Sequence, residues 1–314
     1  MLECEEHLLL RQNDSWQGVD TNANGVSLGS SKVEDLEARL VELVKLVEIS
    51  ESEATKRANF RHCLEEVLVE FFPSVEIQPF GSTACGLGLT GSDLDLHVEL
   101  NISKSLARKE KTAALVQVLW AHKRFRNALP MLDCRTPIVQ LFDKKTGIKC
   151  DLSGCSSMGV LNTKFVKFCL DSDPRARTLA LVIKCFAKKH HITGFSLICL
   201  FIRSNVSGSG PGDHLTSYCL VLMVIFFLQD QGILHTLATL QSVPGLKEVA
   251  VNDFNFSFCT DSSKLPPLPT GKGSSVVELL HGFFRCFADF DFKANSICLQ
   301  QGQPAARLKG MVSV

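Results

Sequence analysis

The stretch FGSTACGLGLTGSDLDL, residues 80–96, limits this chain more than any other. A strand-like run, Val75–Phe80, enters Gly81-Ser82, where the lack of side-chain bulk lets a backbone approach a phosphate and aim its N–H groups at the oxygens. Eleven residues after Ser82, Asp93 and Asp95 stand at i and i+2 on a second expected strand, Leu94–Leu100. Alternation puts both carboxylates on one face while Leu94 and Leu96 point into a core. Neighbouring carboxylates repel unless a cation lies between them, so the pair is a candidate Mg²⁺ site. Two further strands, Pro137–Phe142 and Ile148–Leu152, are joined by the turn Asp143–Gly147. They bring Asp151, flanked by Cys150 and Leu152, alongside as a third acid. A lone Asp-x-Asp is more often a solvated strand edge, and a lone Gly-Ser is more often a plain turn. The combination is far more specific.

The rest of the pattern sets the fold class. Leu36, Leu40, Leu43 and Val47 recur at helical spacing, and Phe60, Leu64, Val67 and Phe71 line a second helix ended by Pro73. A helix over Lys111–Arg124 separates the two strand pairs. After Ser153 the chain reads as helical, over Thr163–Leu170, Asp173–Lys189, Leu215–Asp230 and Ser274–Phe290. The expected class is α+β: a mixed sheet with helices, then a mainly helical domain. Its parts are a flexible lead-in (1–30), an N-terminal helix packing with the helical domain (31–58), the α/β unit (59–157) and the helical domain (158–314). Pro266, Pro267 and Pro269 mark a loop.

Composition narrows the partners. Thirty-three basic and thirty-three acidic side chains cancel, which excludes binding by bulk positive charge and leaves room for a local basic pocket. The thirteen cysteines are scattered singly, without zinc-like spacing, and fit a reducing compartment such as cytoplasm or nucleus. A mitochondrial address would require a transit peptide that MLECEEHLLL does not provide. The longest apolar run, Leu215–Leu228, is shorter than the ~20 residues of a bilayer span and reads as a core helix, so no membrane partner is expected.

These motifs resemble the terminal uridylyltransferases and template-independent poly(A) RNA polymerases of the DNA polymerase β nucleotidyltransferase superfamily. The resemblance rests on FGSTACGLGLTGSDLDL, TPIVQLFDKKTGIKCDLS, LNT at 161–163, DPRARTLALVIKCFAKKHHI, LTSYCLVLMVIFFLQ and ELLHGFFRCFADFDFKANSICLQQG. It implies a palm domain and transfer of UMP or AMP from UTP or ATP to an RNA 3′-hydroxyl, with two Mg²⁺ or Mn²⁺ ions. Asp93, Asp95 and Asp151 would be the catalytic metal ligands, Gly81 and Ser82 triphosphate contacts, and Asn162 with Thr163 neighbours of the sugar. Lys184 and Lys188, one helical turn apart, would face the β- and γ-phosphates. Ser217 and Tyr218 open the apolar helix, and Tyr218, the single tyrosine beside twenty-one phenylalanines, would stack on the base.

Other candidates are weaker. His190 and His191 are adjacent on a helix and point apart. His97 shares the face of the acids as a neighbour, and GLGLTG lacks the context of a dinucleotide-binding turn. The chain departs from the family in an apolar insertion, FSLICLFIRSNV (195–206), and in lacking the Asp-Pro-Phe segment expected after Gly302. That absence predicts partly exposed Phe283, Phe284 and Phe287. It also keeps open a catalytically impaired protein that binds nucleotide or RNA as regulator.

Overall fold

The computed structural model describes residues 30–100, 107–132, 137–154, 157–190, 215–251, 254–268 and 273–307. The lead-in before residue 30, the insertion at 195–206 and Pro269 lie outside the described residues. The chain forms two units, Met1–Asp35 and Leu36–Val314. Of the first, only the opening turn of helix α1 (Ser30–Val47) is described, and the sheet and all later helices belong to the second.

Helix α2 (Glu51–Val69) begins where the Ser50 hydroxyl accepts the Glu53 N–H at 3.2 Å, with Glu51 and Glu53 in its positive first turn. Its stripe of Phe60, Leu64, Val67 and Leu68 is buried. The helix is continuous, so the expected boundary between residues 58 and 59 falls inside it.

Five strands form the sheet: β1 (Glu76–Pro79), β2 (Leu94–Glu99), β3 (Leu129–Met131), β4 (Ile138–Asp143) and β5 (Ile148–Ser153), in the order β1-β2-β5-β4-β3. Strands β2 and β5 pair in parallel, and the other pairs are antiparallel. The class is α+β, as expected. Strand β3 was not foreseen, because Leu129-Pro130-Met131 is too short to show alternation. Leu94, Leu96 and Val98 of β2 join Val139, Leu141, Cys150 and Leu152 in a core closed by α2 and by α4 (Arg108–Ala121), whose Leu115 and Leu119 are buried. Odd-numbered residues of β2, Asp95 included, take the opposite face. The short helix α3 (Gly81–Ala84) sits between β1 and β2, at the start of the Gly-rich segment.

The second core is helical. It is built from α5 (Met158–Ser172), α6 (Pro174–Lys189), α7 (Ser217–Asp230) and α9 (Val276–Ala288), with the short α8 (Leu237–Gln241) nearby. Val44 of α1 lies in this core. Helix α7 buries nine residues around its circumference, as a central helix must. No described helix is long and apolar enough to cross a membrane. Phe283 does not fit the expected exposure: it is 3% accessible and meets Phe227 edge-on at 6.0 Å. Phe287 is half-buried and only Phe284 is exposed. The helical reading after Ser153 also missed two small antiparallel ladders, β6 (Ala250–Val251) with β7 (Phe254–Asn255) and β8 (Asn295–Cys298) with β9 (Gln303–Ala306). Two-to-four-residue strands carry too little pattern to be read.

One buried charge sits on the core face of the sheet. Asp143, 3% accessible, accepts from Arg124 Nε at 3.1 Å and Nη2 at 2.7 Å, and from Thr146 Oγ1 at 2.6 Å. Burial alone would raise this carboxyl, but the guanidinium and the hydroxyl outweigh it and hold the group below the usual carboxylate range. A lowered carboxyl stabilises the fold above its ordinary range and loses that contribution as pH falls through the lowered value. Arg124→Met should therefore cost ~3–5 kcal/mol in urea unfolding at neutral pH, the range for orphaning a buried charge, and less in acid, where Asp143 can protonate. An equal loss at both pH values would show that Arg124 acts through packing alone.

Candidate active site

The acids lie on the open face of the sheet. Parallel pairing sets Asp95 directly opposite Asp151, and Gln140 of β4 continues the row, its Nε2 donating to Asp151 Oδ1 at 3.2 Å. Asp93 stands one residue before β2 begins. The three carboxyls feel one another. Asp95 is pushed up to about 6, first by burial and then by the charges of Asp151 and Asp93, against the pull of Lys184 and Arg57. Burial and Asp93 also raise Asp151, although its bond from Gln140 opposes them. Among the described residues no three His, Cys, Asp or Glu side chains are gathered closely enough to hold a metal ion as they stand.

The Gly-rich segment 81–92 is anchored in both cores. Its Cys85, Leu87 and Leu89 are buried among α5, α6 and α7, while Leu94 and Leu96 of the following strand enter the sheet core. Gly81 has a positive φ of 66°, and a Cβ there would come within 2.5 Å of Asp95 Oδ2. Both conditions favour glycine.

Polar tethers complete the anchoring. From α2, Arg57 donates to Thr83 Oγ1 at 3.1 Å, to the carbonyls of Ser92 and Asp93, and to Glu53 Oε1 at 2.6 Å. It is 5% accessible. From α6, Arg177 donates to the Gly86 carbonyl at 3.1 Å and to Glu48 Oε2 at 2.8 Å. Sequence reading missed both arginines. Arg57 carried a legible signal, since a cation three residues before Phe60 stands on the apolar stripe of α2.

Three of the expected nucleotide contacts make bonds within the protein. The Gly81 N–H is donated to Thr163 Oγ1 at 2.8 Å, so it is directed at α5 and not toward an open phosphate position. Thr163 in turn donates to the Gly159 carbonyl at 2.7 Å, which occupies its buried hydroxyl. Lys184, 8% accessible, gives its ammonium to the Leu87 carbonyl at 2.6 Å, and burial lowers its pKa. Thr163 and Lys184 are therefore further tethers of the loop. Lys188, one turn on, is exposed. Ser82 and Asn162 are half-buried. Ser217 and Tyr218 open α7 behind its cap Thr216, whose Oγ1 accepts the Cys219 N–H at 3.1 Å. The Tyr218 ring is 44% accessible, and burial of the hydroxyl pushes its pKa up to about 12. His97 is buried, with Nε2 3.2 Å from Glu99 Oε2.

Comparison with known proteins places the fold among known relatives. Residues 36–170 match the family model described as "Poly(A) RNA polymerase, mitochondrial-like, central palm domain". The chain is 27% identical over 308 residues to the speckle targeted PIP5K1A-regulated poly(A) polymerase of Danio rerio, covering 86% of this chain and 37% of that protein. It is 26% identical over 300 residues to the mitochondrial poly(A) RNA polymerase of Mus musculus, covering 87% and 48%. With terminal uridylyltransferase 7 of Homo sapiens it shares 28% over 254 residues, covering 78% and 16%. The chain thus spans less than half of the length of each of these relatives. Among solved structures, mtPAP in complex with UTP superposes with a TM-score of 0.74 at 22% identity, over 93% of this chain and 66% of that one. The Cid1 poly(U) polymerase gives 0.68 at 23%, over 86% and 79%. Residues 36–170 therefore match the MTPAP-like central palm model, and the chain is similar in sequence to poly(A) RNA polymerases and terminal uridylyltransferases.

Proposed function

We propose that this chain transfers UMP or AMP from UTP or ATP to the 3′-hydroxyl of RNA without a template. The observation that carries the reading is the register of Asp95 against Asp151, beside a glycine at positive φ whose Cβ position would crowd the Asp95 carboxylate. The relatives named as poly(A) polymerases and uridylyltransferases support it. So do the solved neighbours holding UTP, or Mg and 3′-dATP. The nine described cysteines are free thiols, in keeping with a reducing compartment such as cytoplasm or nucleus.

Asp93, Asp95 and Asp151 would hold two Mg²⁺ or Mn²⁺ ions. The donor set fits such ions, because hard oxygens that repel one another gain most from a shared cation. When bound, the ions activate the attacking hydroxyl and neutralise the leaving pyrophosphate. The chain's own groups do the positioning. Ser82 and exposed Lys188 receive the triphosphate, with Gly81 shaping the backbone beside Asp95 and Lys184 fixing the loop from behind. Asn162 lies beside the sugar, and Tyr218 with Ser217 supports the base. A second reading, nucleotide or RNA binding without turnover, draws on the absence of a ready-made three-ligand set among the described residues. Incubation with each labelled NTP, Mg²⁺ and an oligo(A) or oligo(U) primer decides between them. Primer extension supports transfer. Binding of NTP without extension, with Mg²⁺ or Mn²⁺, sinks it.

Asp95→Asn and Asp151→Asn should each abolish extension. In the metal-free protein Asp95→Asn should nonetheless raise stability by ~2–3 kcal/mol above pH 6, from a raised pKa at 1.36 kcal/mol per unit. The sign follows because a raised carboxyl costs folding energy when ionised, so the gain shrinks as pH falls toward the ordinary value of 3.8. Thermal melts across pH in EDTA measure it, and a destabilised variant would refute the repulsion.

Arg57→Lys should lower kcat by ~10²-fold with little change in the KM for NTP, because it displaces the acids rather than the nucleotide. A large KM rise at constant kcat would place Arg57 among the binding groups. Tyr218→Phe should retain affinity, while Tyr218→Ala should weaken NTP binding by ~1–3 kcal/mol. Calorimetry showing equal affinity for all three proteins would make Tyr218 a packing residue.

A further inference from the structure

The open face of the sheet continues past the acids. Gln140 and Phe142 alternate with buried Val139 and Leu141, so they share the face of Asp151, and Phe142 stands opposite Lys149. On β3, Leu129 stands opposite Gln140. Leu129 is 55% accessible and Phe142 43%, values that a sheet face does not hold without an occupant or solvent beside it. Where the β4–β5 hairpin turns, Lys123, Arg126, Lys144 and Lys145 line a cavity of ≈370 Å³ together with Asn127 and Phe142. Arg124 also borders it, but its guanidinium is committed to Asp143. The other four cations form no ion pair among the described residues, in a chain whose net charge is zero. Asp151 is three residues from Ile148 at the hairpin end, or ~10 Å along the strand.

We infer that this surface is the track of the RNA strand whose 3′ end reaches the acids, with Lys123, Arg126, Lys144 and Lys145 on its phosphates and Phe142 and Leu129 under its bases. The direction of the strand rests on the proposed transfer reaction; the surface itself does not. Cations bordering an exposed ring match a single-stranded nucleic acid, which offers charge and a π-face on each nucleotide. An acidic protein segment would use the cations and leave the ring without a role.

Fluorescence anisotropy with labelled oligo(A) in EDTA tests this apart from chemistry. Lys144→Ala/Lys145→Ala should weaken binding roughly tenfold and flatten the salt slope by ~1.4, the share of two phosphate contacts on a single strand. Phe142→Ala should weaken binding by a factor of about five or more and leave the slope unchanged. Lys293→Ala, an exposed lysine on the β8 side, should match the parent. In extension assays the double variant should raise the KM for primer and spare that for NTP. No RNA binding by the parent, unchanged affinity and slope in the double variant, or equal affinity for poly-glutamate overturns the inference. RNA binding through these residues without nucleotide addition leaves it standing and sinks the transfer reading instead.

Discussion

A buried arginine holds this site in shape. Arg57 reaches from α2 to both ends of the Gly-rich segment, bonding Thr83 at its start and the carbonyls of Ser92 and Asp93 at its end. Its charge is compensated by Glu53 one turn away, so the protein meets the cost of burying a guanidinium locally. A planar group with five donors can bridge three acceptors at fixed angles, and an ammonium cannot. Thr163, Arg177 and Lys184 add bonds from the helical side, so the loop between Gly81 and the acids has little freedom left.

That rigidity matters because the acids oppose the fold they sit in. Asp95 and Asp151 are forced together by the register of two parallel strands, and burial raises both carboxyls. Without the tethers, the repulsion would be relieved by moving Asp93 and the loop away. With them, it stays as a standing demand for positive charge. The fold thus bears a local cost at the place where a cation is useful, a familiar signature of functional sites.

Much of this was legible in the residues themselves. The alternation Leu94-Asp95-Leu96 and the apolar flanks of Asp151 located the acids and their shared face, because strand periodicity leaves no other solution. The apolar helices α6 and α7 were equally plain. What stayed hidden were bonds between distant residues. Thr163 and Lys184 were marked as important, but nothing local reveals that the hydroxyl meets Gly81 or that the ammonium meets Leu87. The strands β3, β8 and β9 were missed because three or four residues, prolines among them, show no period. Phe283 was misjudged because its partner, Phe227, lies on another helix.

The anchoring of the loop has a consequence for how the chain is made. Lys184 meets Leu87 across 97 residues, and Arg177 meets Glu48 across 129. Glu37 accepts from the Val277 N–H across 240. A ribosome delivers the palm strands long before the helices that hold the loop between them. Until α6 and α7 emerge, Leu87 and Leu89 have no core to enter and remain adhesive apolar surface on a half-finished domain. The cost of that interval is exposed apolar surface, and synonymous changes that pause translation between residues 100 and 180 would lengthen it.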